Sequence, residues 1–392
     1  MNIFVLNAGS SSLKCHLFDC TSESKTPVWQ ALVDWSRQAT PARLTIQSQT
    51  SKPIESEIPN EVPTIVRQLS AALPMVPQTV GHRIVHGGSL FQKATRLTAE
   101  VREQAMSYSS SAPSHNKTQL EIVAEMEQIL GASVPQYGVF DTAFHSTLPP
   151  EAYVYAGPAH WLELGIRRYG FHGISHQYVS HKAAQLLGRP AAGLKLITAH
   201  LGNGGSLTAV DSGVSIATTM GFTPLDGLVM GTRSGSVDPG ILIHLVREHG
   251  YTADMLDAEL NQHSGLKGLS GISGDMREIL AAIANGDQQA RLAFEIYTAS
   301  VASHIAGLIP ALGALDALVF TGGIGENSPE VRAAVARKLA FLGIQLDEQL
   351  NEGKPMDRVI SVAASLSKVF VVRSEEDWEI ARQCYDAAVT SC

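Results

Sequence analysis

Ile3-Phe4-Val5-Leu6-Asn7-Ala8-Gly9-Ser10-Ser11-Ser12-Leu13-Lys14 runs from a short apolar strand into an amide, a glycine, three hydroxyls and a lysine. Glycine lets backbone N–H groups approach an anion closely. Serine hydroxyls and an Asn amide can hold phosphate oxygens or the waters of Mg²⁺, and Lys14 can neutralise charge. The competing reading of this segment alone is a Ser/Gly turn joining two strands of a hairpin.

The 392 residues suffice for two core-forming domains. Hydrophobic residues make up 44% and charged residues 17%, the balance of an ordinary folded protein. A net charge of −8 argues against a nucleic-acid binder, which carries a basic excess, but leaves local anion sites open. Cys15, Cys20, Cys384 and Cys392 follow no metal-ligand or disulfide spacing and suit a reducing compartment. The N-terminus reads as a strand without a signal peptide, so a cytoplasmic location is expected. Ile305 to Ile324 is the most apolar window, yet Pro310, Asp316 and its glycines predict a helix end, a turn and a buried strand, not a membrane span.

Helical periods cover Thr118 to Leu130, stopped by Gly131, and Ile241 to His249, closed by Gly250. Pro329 sits at the first turn of a helix over Val331 to Leu342. Buried strands are expected at Val80–Val85, Gln136–Phe140, Leu194–Ala199, Ala317–Thr321 and Val369–Val372. Strands and helices interleave, which predicts an α/β fold. Residues 21 to 63 read as peripheral strands and loops. Asn203-Gly204-Gly205-Ser206 echoes Asn7-Ala8-Gly9-Ser10: each follows an apolar strand and precedes another, 196 residues apart (203 − 7). That offset, half of the chain, points to two duplicated halves that each open with an anion-binding turn.

Six further stretches carry chemistry. Phe320-Thr321-Gly322-Gly323-Ile324-Gly325-Glu326-Asn327-Ser328 is a strand, a glycine turn and a helix start, suited to a nucleotide but lacking the P-loop ending. Asp141 ends the strand Gln136 to Phe140, where open-sheet ligands bind; a turn or cap role competes. His172 and His176 share the spacing of zinc helices, but the Glu after the first His is absent and Gly173 intervenes. Contact between His172 and a phosphoryl group suits that loop better, with a satisfied structural His as the alternative. Arg233, in Met230 to Pro239, and Arg83, in Gly81 to Gly88, are guanidinium groups in glycine-bounded loops, which suit phosphate oxygens. Ser374-Glu375-Glu376-Asp377 opens a helix, where acids are favoured for electrostatic reasons alone; a metal contact there requires the C-terminus to fold back beside Asn7.

Together these motifs resemble the acetate kinases, the acetokinase family of the actin and sugar-kinase superfamily. The resemblance runs through residues 7–14, 81–88, 140–145, 167–176, 200–207, 220–235, 320–328 and 375–377. It implies two actin-like (ribonuclease H-like) α/β domains of duplicated βββαβαβα type, with a cleft between them. Residues 1–145 plus 374–392 would form the domain for the acyl substrate and metal. Residues 146–373 would bind nucleotide and form a homodimer. The implied reaction is reversible, Mg²⁺-dependent phosphoryl transfer between ATP and acetate, with Mn²⁺ as the alternative metal and no nucleic-acid or membrane partner. Asn7 and Glu376 would contact the metal environment, with Glu375 as an alternative register.

By the same resemblance Ser10, Ser12 and Lys14 would lie near the phosphates, Arg83 would bind the acyl substrate, and Asp141 would be the essential acid. His172 and Arg233 would stabilise the transferring group. His200, Leu201, Gly202, Asn203, Gly204, Asp275, Met276, Arg277, Gly322, Gly323, Ile324, Gly325 and Glu326 would hold the nucleotide. Val85, Phe171 and Pro224 would wall the methyl pocket, and His115 keeps a polar place near the phosphoryl group. Ser114 stands where the family usually has an apolar residue, so propionate or another short-chain acid is an alternative substrate. A non-catalytic nucleotide-binding actin-like protein is the alternative from another class.

Overall fold

The computed structural model describes residues 1–9, 12–21, 24–35, 41–48, 52–108, 116–354 and 357–390. Ser10, Ser114 and His115 therefore lie outside the described residues. The chain divides into two units, Met1–Ser146 with Glu375–Cys392, and Thr147–Ser374.

In the first unit, strands β1 (Asn2–Ala8), β2 (Ser12–Asp19), β3 (Trp29–Asp34), β4 (Ala42–Ser48), β5 (Ile54–Ile58), β6 (Thr79–Ile84), β7 (Thr95–Arg96) and β8 (Gln136–Phe140) form one sheet. Its order is β5-β4-β3-β2-β1-β6-β8-β7. β1 to β5 form an antiparallel meander; β6 runs parallel to β1, and β8 parallel to β6. β1 is buried from Ile3 to Ala8, which explains its unbroken apolar run: both faces are covered. Phe4, Leu6 and Ala8 face one core with Ile65, Val66 and Leu69 of helix Val62–Ala71 and with Ile122 and Met126 of helix Asn116–Leu130. Successive side chains alternate, so Asn7 turns to the opposite face. Helix Glu376–Thr390 covers that face: a Cβ added to Gly81 would lie 2.7 Å from Cys384 Sγ and 3.0 Å from Ile380. The peripheral strands expected over residues 21–63 are β3, β4 and β5.

In the second unit, β9 (Lys195–Leu201), β10 (Gly205–Asp211), β11 (Val214–Thr218), β12 (Ala317–Thr321), β13 (Arg358–Val359) and β14 (Lys368–Val371) are ordered β11-β10-β9-β12-β14-β13. β9 to β11 form an antiparallel meander, and β12 and β14 extend it in parallel with β9. The five-strand pattern β3-β2-β1-β6-β8 thus recurs as β11-β10-β9-β12-β14. The fold is two actin-like α/β units. Asn203 lies in the turn between β9 and β10, whereas Asn7, expected in a matching turn, lies inside β1 and pairs with Lys14 of β2, so the two asparagines are not in equivalent places.

Ile197, Ala199, Leu201, Leu207 and Ala209 pack against Tyr297, Val301 and Ile305 of helix Gln288–Leu312. That helix is long and apolar enough to cross a membrane, but those three residues lie in this core at 0–1% exposure. It ends at Gly313 (φ +71), and β12 follows, so the window from Ile305 to Ile324 is a helix end, a turn and a strand. Asp238 caps helix Pro239–His249, and Ser328 caps Pro329–Lys338. The helix expected to continue to Leu342 stops at Lys338; Ala340–Leu342 tightens into a 3₁₀ turn before Gly343 (φ +73).

Candidate active site

The first unit gathers a charged cluster at the ends of β1, β6 and β8. Arg83 leaves β6 half-buried and Asp141 follows β8. Arg83 Nε donates to Asp141 Oδ1 at 3.0 Å and Nη2 to Oδ2 at 2.6 Å, a two-pronged pair with Asp141 2% exposed. Arg83 Nη1 lies 3.4 Å from Asn7 Oδ1. Burial opposes the guanidinium charge, but Asp141, with Glu376 and Asp377, outweighs it and raises Arg83 above its ordinary pKa. Burial pushes the Asp141 carboxyl up, with Arg83 pulling against that shift.

The C-terminal helix does return beside residue 7. Asn7 Nδ2 donates to Asp377 Oδ1 at 2.7 Å and lies 3.5 Å from Glu376 Oε2. His16 Nδ1 lies 3.2 Å from the other Asp377 oxygen. Burial acts to raise Asp377, but His16, Asn7 and Lys14 together hold it below the usual carboxylate range. Lys14 is exposed on β2 opposite Asn7, and Ser12 begins that strand. Glu376 and Asn7 offer carboxylate and amide oxygens, the hard donors that Mg²⁺ takes. Val85, buried at the end of β6, donates its N–H to Gln119 Oε1 at 3.0 Å.

In the second unit, His172 caps helix Gly173–Leu187 in the left-handed region (φ 57, ψ 23). A non-glycine residue there costs roughly 1–2 kcal/mol. The ring stacks on His200 with centroids 4.3 Å apart. Gly204 lies between His172 and Arg233: an added Cβ would sit 3.5 Å from His172 Nε2 and 3.3 Å from Arg233 Nη1. Arg233 Nη1 donates to Pro224 O at 3.3 Å. Among the described residues no carboxylate pairs with Arg233, and burial lowers its pKa from the ordinary value. A half-buried guanidinium without a described counter-ion has donors left to offer an anion. Phe171 is buried beside His172 in sequence, so Phe171 and Pro224 belong to this unit and Val85 to the other.

A cavity of about 1010 Å³ opens nearby, lined by Gly202, Asn203, Asp275, Met276, Arg277, Gly323 and Ile324, all expected nucleotide residues. Thr232, Asn327 and Ser328, from two of the quoted stretches, also line it, as do Gly274, Leu280 and Glu330, which were not foreseen. Asp275 caps helix Met276–Ala284 and pairs with the exposed Arg277 at 2.5 Å. His200 and Leu201 end β9; His200 Nδ1 bonds Ser175 Oγ at 2.8 Å. Gly322 (φ +77) crosses so close to β9 that a Cβ would meet Leu201 O at 2.8 Å. Gly325 is buried in the same turn. Glu326 turns back into it, accepting from Gly322 N at 3.0 Å and Ser374 N at 2.9 Å. Asp377 is the main charged residue that sequence reasoning passed over; its only signal was membership of an acidic run.

The family model described as the acetokinase family matches residues 2–382. The acetate kinase of Gloeobacter violaceus is 49% identical over 402 residues, covering 98% of this chain and 99% of the relative. That of a Cyanothece species is 47% identical over 406 residues, covering 100% and 99%. Among solved structures, a propionate kinase from Francisella tularensis aligns with TM-score 0.91 at 38% identity, covering 98% of this chain and 99% of that one. An acetate kinase from Porphyromonas gingivalis aligns with TM-score 0.89 at 37% identity, covering 99% of both.

Proposed function

The chain belongs to the acetokinase family, and from that premise we propose that it moves the terminal phosphoryl group of ATP reversibly to acetate, giving acetyl phosphate and ADP. The observation that carries this reading is Arg233: a half-buried guanidinium, unpaired by any described carboxylate, close to Gly204 and thereby to His172. Such a group is poised for an anion of high charge density.

Acetate is ionised at pH 7, because a carboxyl of this kind titrates at about 4.3. It needs no base, and Asp141, already held by two Arg83 nitrogens, has a different task. It fixes the guanidinium plane and leaves the other edge of Arg83 for the acyl carboxylate. Arg233 and His172 stabilise charge on the transferring phosphoryl, which passes in line and directly between the two oxygens. Catalysis is then alignment and charge neutralisation. The cavity from Gly202 to Glu330 takes the adenosine portion, with Gly322 to Gly325 close to the phosphates. Ser12 and Lys14 serve the phosphate side of the first unit, and Val85 of the first unit and Phe171 and Pro224 of the second keep the methyl-side roles that the resemblance implies. Ser10 and His115 keep the phosphate-side roles that the resemblance implies.

Mg²⁺, with Mn²⁺ as the alternative, fits the oxygen donors of Glu376 and Asn7. Among the described residues no three His, Cys, Asp or Glu side chains form a cage, which suits a metal bound mainly through waters and nucleotide phosphates. When bound it supplies positive charge to the phosphate oxygens. The first unit serves acyl substrate and metal; the second serves nucleotide and a homodimer contact. Helix Pro239–His249 supports the dimer: it carries Ile241, Leu242, Ile243, Leu245 and Val246 and buries no residue. The cysteines suit a cytoplasmic location.

Propionate is the second reading, favoured by the similarity to the Francisella propionate kinase. Trapping acyl phosphate as hydroxamate with formate, acetate, propionate and butyrate tests both. Acetate with the highest kcat/KM supports the first reading; propionate highest supports the second; no ATP-dependent product from any acid defeats both.

A further inference from the structure

β9 and β10 alternate in the second unit, so Thr198, Ser206 and Thr208 face helix Gly173–Leu187 while Ile197, Leu207 and Ala209 face the apolar core. These three polar residues and His176 are all 0% exposed. They form a continuous chain to the site. Thr198 Oγ1 lies 3.4 Å from Thr208 O, to which it donates. His176 Nδ1 lies 2.7 Å from Thr198 Oγ1, and His176 Nε2 lies 2.7 Å from Ser206 Oγ. Ser206 Oγ lies 2.9 Å from His172 Nδ1.

A hydroxyl has one proton to donate, and a neutral imidazole has one donor and one acceptor nitrogen. The carbonyl at the far end, which only accepts, sets the direction of the chain. Thr198 gives its proton to Thr208 O, so it accepts from His176 Nδ1–H. His176 Nε2 is then the acceptor and takes the Ser206 proton. Ser206 in turn accepts from His172 Nδ1–H. We propose that this buried relay of Thr198, His176 and Ser206 holds His172 in the tautomer with its proton on Nδ1. Its Nε2, the nitrogen near Gly204 and Arg233, then donates to a phosphoryl oxygen only as imidazolium.

Phosphate oxygens accept and do not donate, so a neutral His172 in this tautomer has nothing to offer them. Arrival of the phosphoryl group draws a proton from solvent onto Nε2, and the relay keeps its polarity, because Nδ1–H donates to Ser206 in both states. Among the described residues, the charged or titratable groups near the ring include His200, stacked at 4.3 Å, Arg233, and His176 through Ser206. Ser206, His176 and Thr198 are positioning residues. The catalytic consequence rests on the phosphoryl-transfer reading; the tautomer does not.

The test uses the full-length protein with ¹⁵N-labelled histidine and two-bond ¹H–¹⁵N correlation, with His172 assigned by its loss in His172→Gln. At a pH where the ring is neutral, the wild type should show the Nδ1–H pattern. Ser206→Ala should lose it, and Ser206→Thr, which keeps the hydroxyl, should retain it. A wrong-tautomer histidine can cost up to about 10⁴ in kcat. A fall of at least about tenfold is therefore expected in Ser206→Ala, with the KM for ATP little changed and Ser206→Thr recovering most of the rate. Thr198→Val, tested alongside, should disturb the same signals. An Nε2–H pattern in the wild type, or an unaltered His172 pattern in Ser206→Ala, overturns the relay. Wild-type turnover, measured separately, tests the phosphoryl-transfer reading.

Discussion

Arg83 grips Asp141 along one edge of its guanidinium, with Nε 3.0 Å from one carboxylate oxygen and Nη2 2.6 Å from the other. The residues are 58 positions apart and meet because β6 and β8 are parallel neighbours, with Arg83 opposite Val139 and Ile84 opposite Phe140. The pair spends Asp141's charge on orientation. Arg83→Lys keeps the charge and loses the fork. We expect kcat/KM for acetate to fall at least about 10²-fold, as for loss of one oriented transition-state donor, while ADP affinity by calorimetry holds. Unchanged acetate kinetics would remove the fork from the mechanism.

Arg233→Ala should lower kcat about 10²–10³-fold, the usual cost of a transition-state charge partner, roughly 3–4 kcal/mol. The guanidinium is paired with no described carboxylate, so its removal leaves no orphaned acid and the thermal midpoint should be preserved. Near-wild-type turnover in the folded variant would refute the role.

Gly322→Ala forces a side chain into a left-handed residue (φ +77) whose Cβ would lie 2.8 Å from Leu201 O. Strain of about 1–3 kcal/mol is expected. The turn should shift, and ADP binding should weaken at least about tenfold, for which roughly 1.4 kcal/mol suffices. Calorimetry with ADP checks it; wild-type affinity would mean the turn does not touch the nucleotide.

His82 is buried, and burial lowers its pKa to about 4 despite the bond to Gln136 Oε1 at 2.6 Å. In the unfolded chain it titrates near 6.5. Between these values the unfolded state binds the extra proton, so stability rises with pH through the window and is lost as pH falls from about 6.5 towards 4. The loss from this one residue is about 3 kcal/mol. Urea unfolding at pH 7, 5.5 and 4.5 should show it, and His82→Gln should flatten the profile. An equally steep profile in His82→Gln would assign the acid sensitivity elsewhere.

Ile243 and Val246 share one face of helix Pro239–His249 and are 52% and 48% exposed. On the dimer proposed above, the wild type should scatter at twice the 41.9 kDa chain mass, and replacing both with Asp should give a monomer by light scattering. A dimer that survives both charges would place the contact elsewhere.

The sequence by itself determined the strands and turns whose cause is local. The run from Ile3 to Leu6 is apolar because β1 is covered on both faces. Gly250, Ser328 and Pro329 sit where helix ends require them, and the Asn7 and Asn203 segments, half a chain apart, pointed to the duplication, although only Asn203 lies in a turn. Only the tertiary structure decided which acids matter. Glu376 and Asp377 look like ordinary helix-start acids until the C-terminal helix packs on the Asn7 face of β1, across some 370 positions of sequence. Thr198 and Ser206 read as small polar residues in apolar strands, and their chain to His172 exists only because β9 lies beside β10 under helix Gly173–Leu187. Periodicity tells each residue which face of its own element it occupies. The identity of the neighbour across that face depends on strand order, which a linear pattern does not carry.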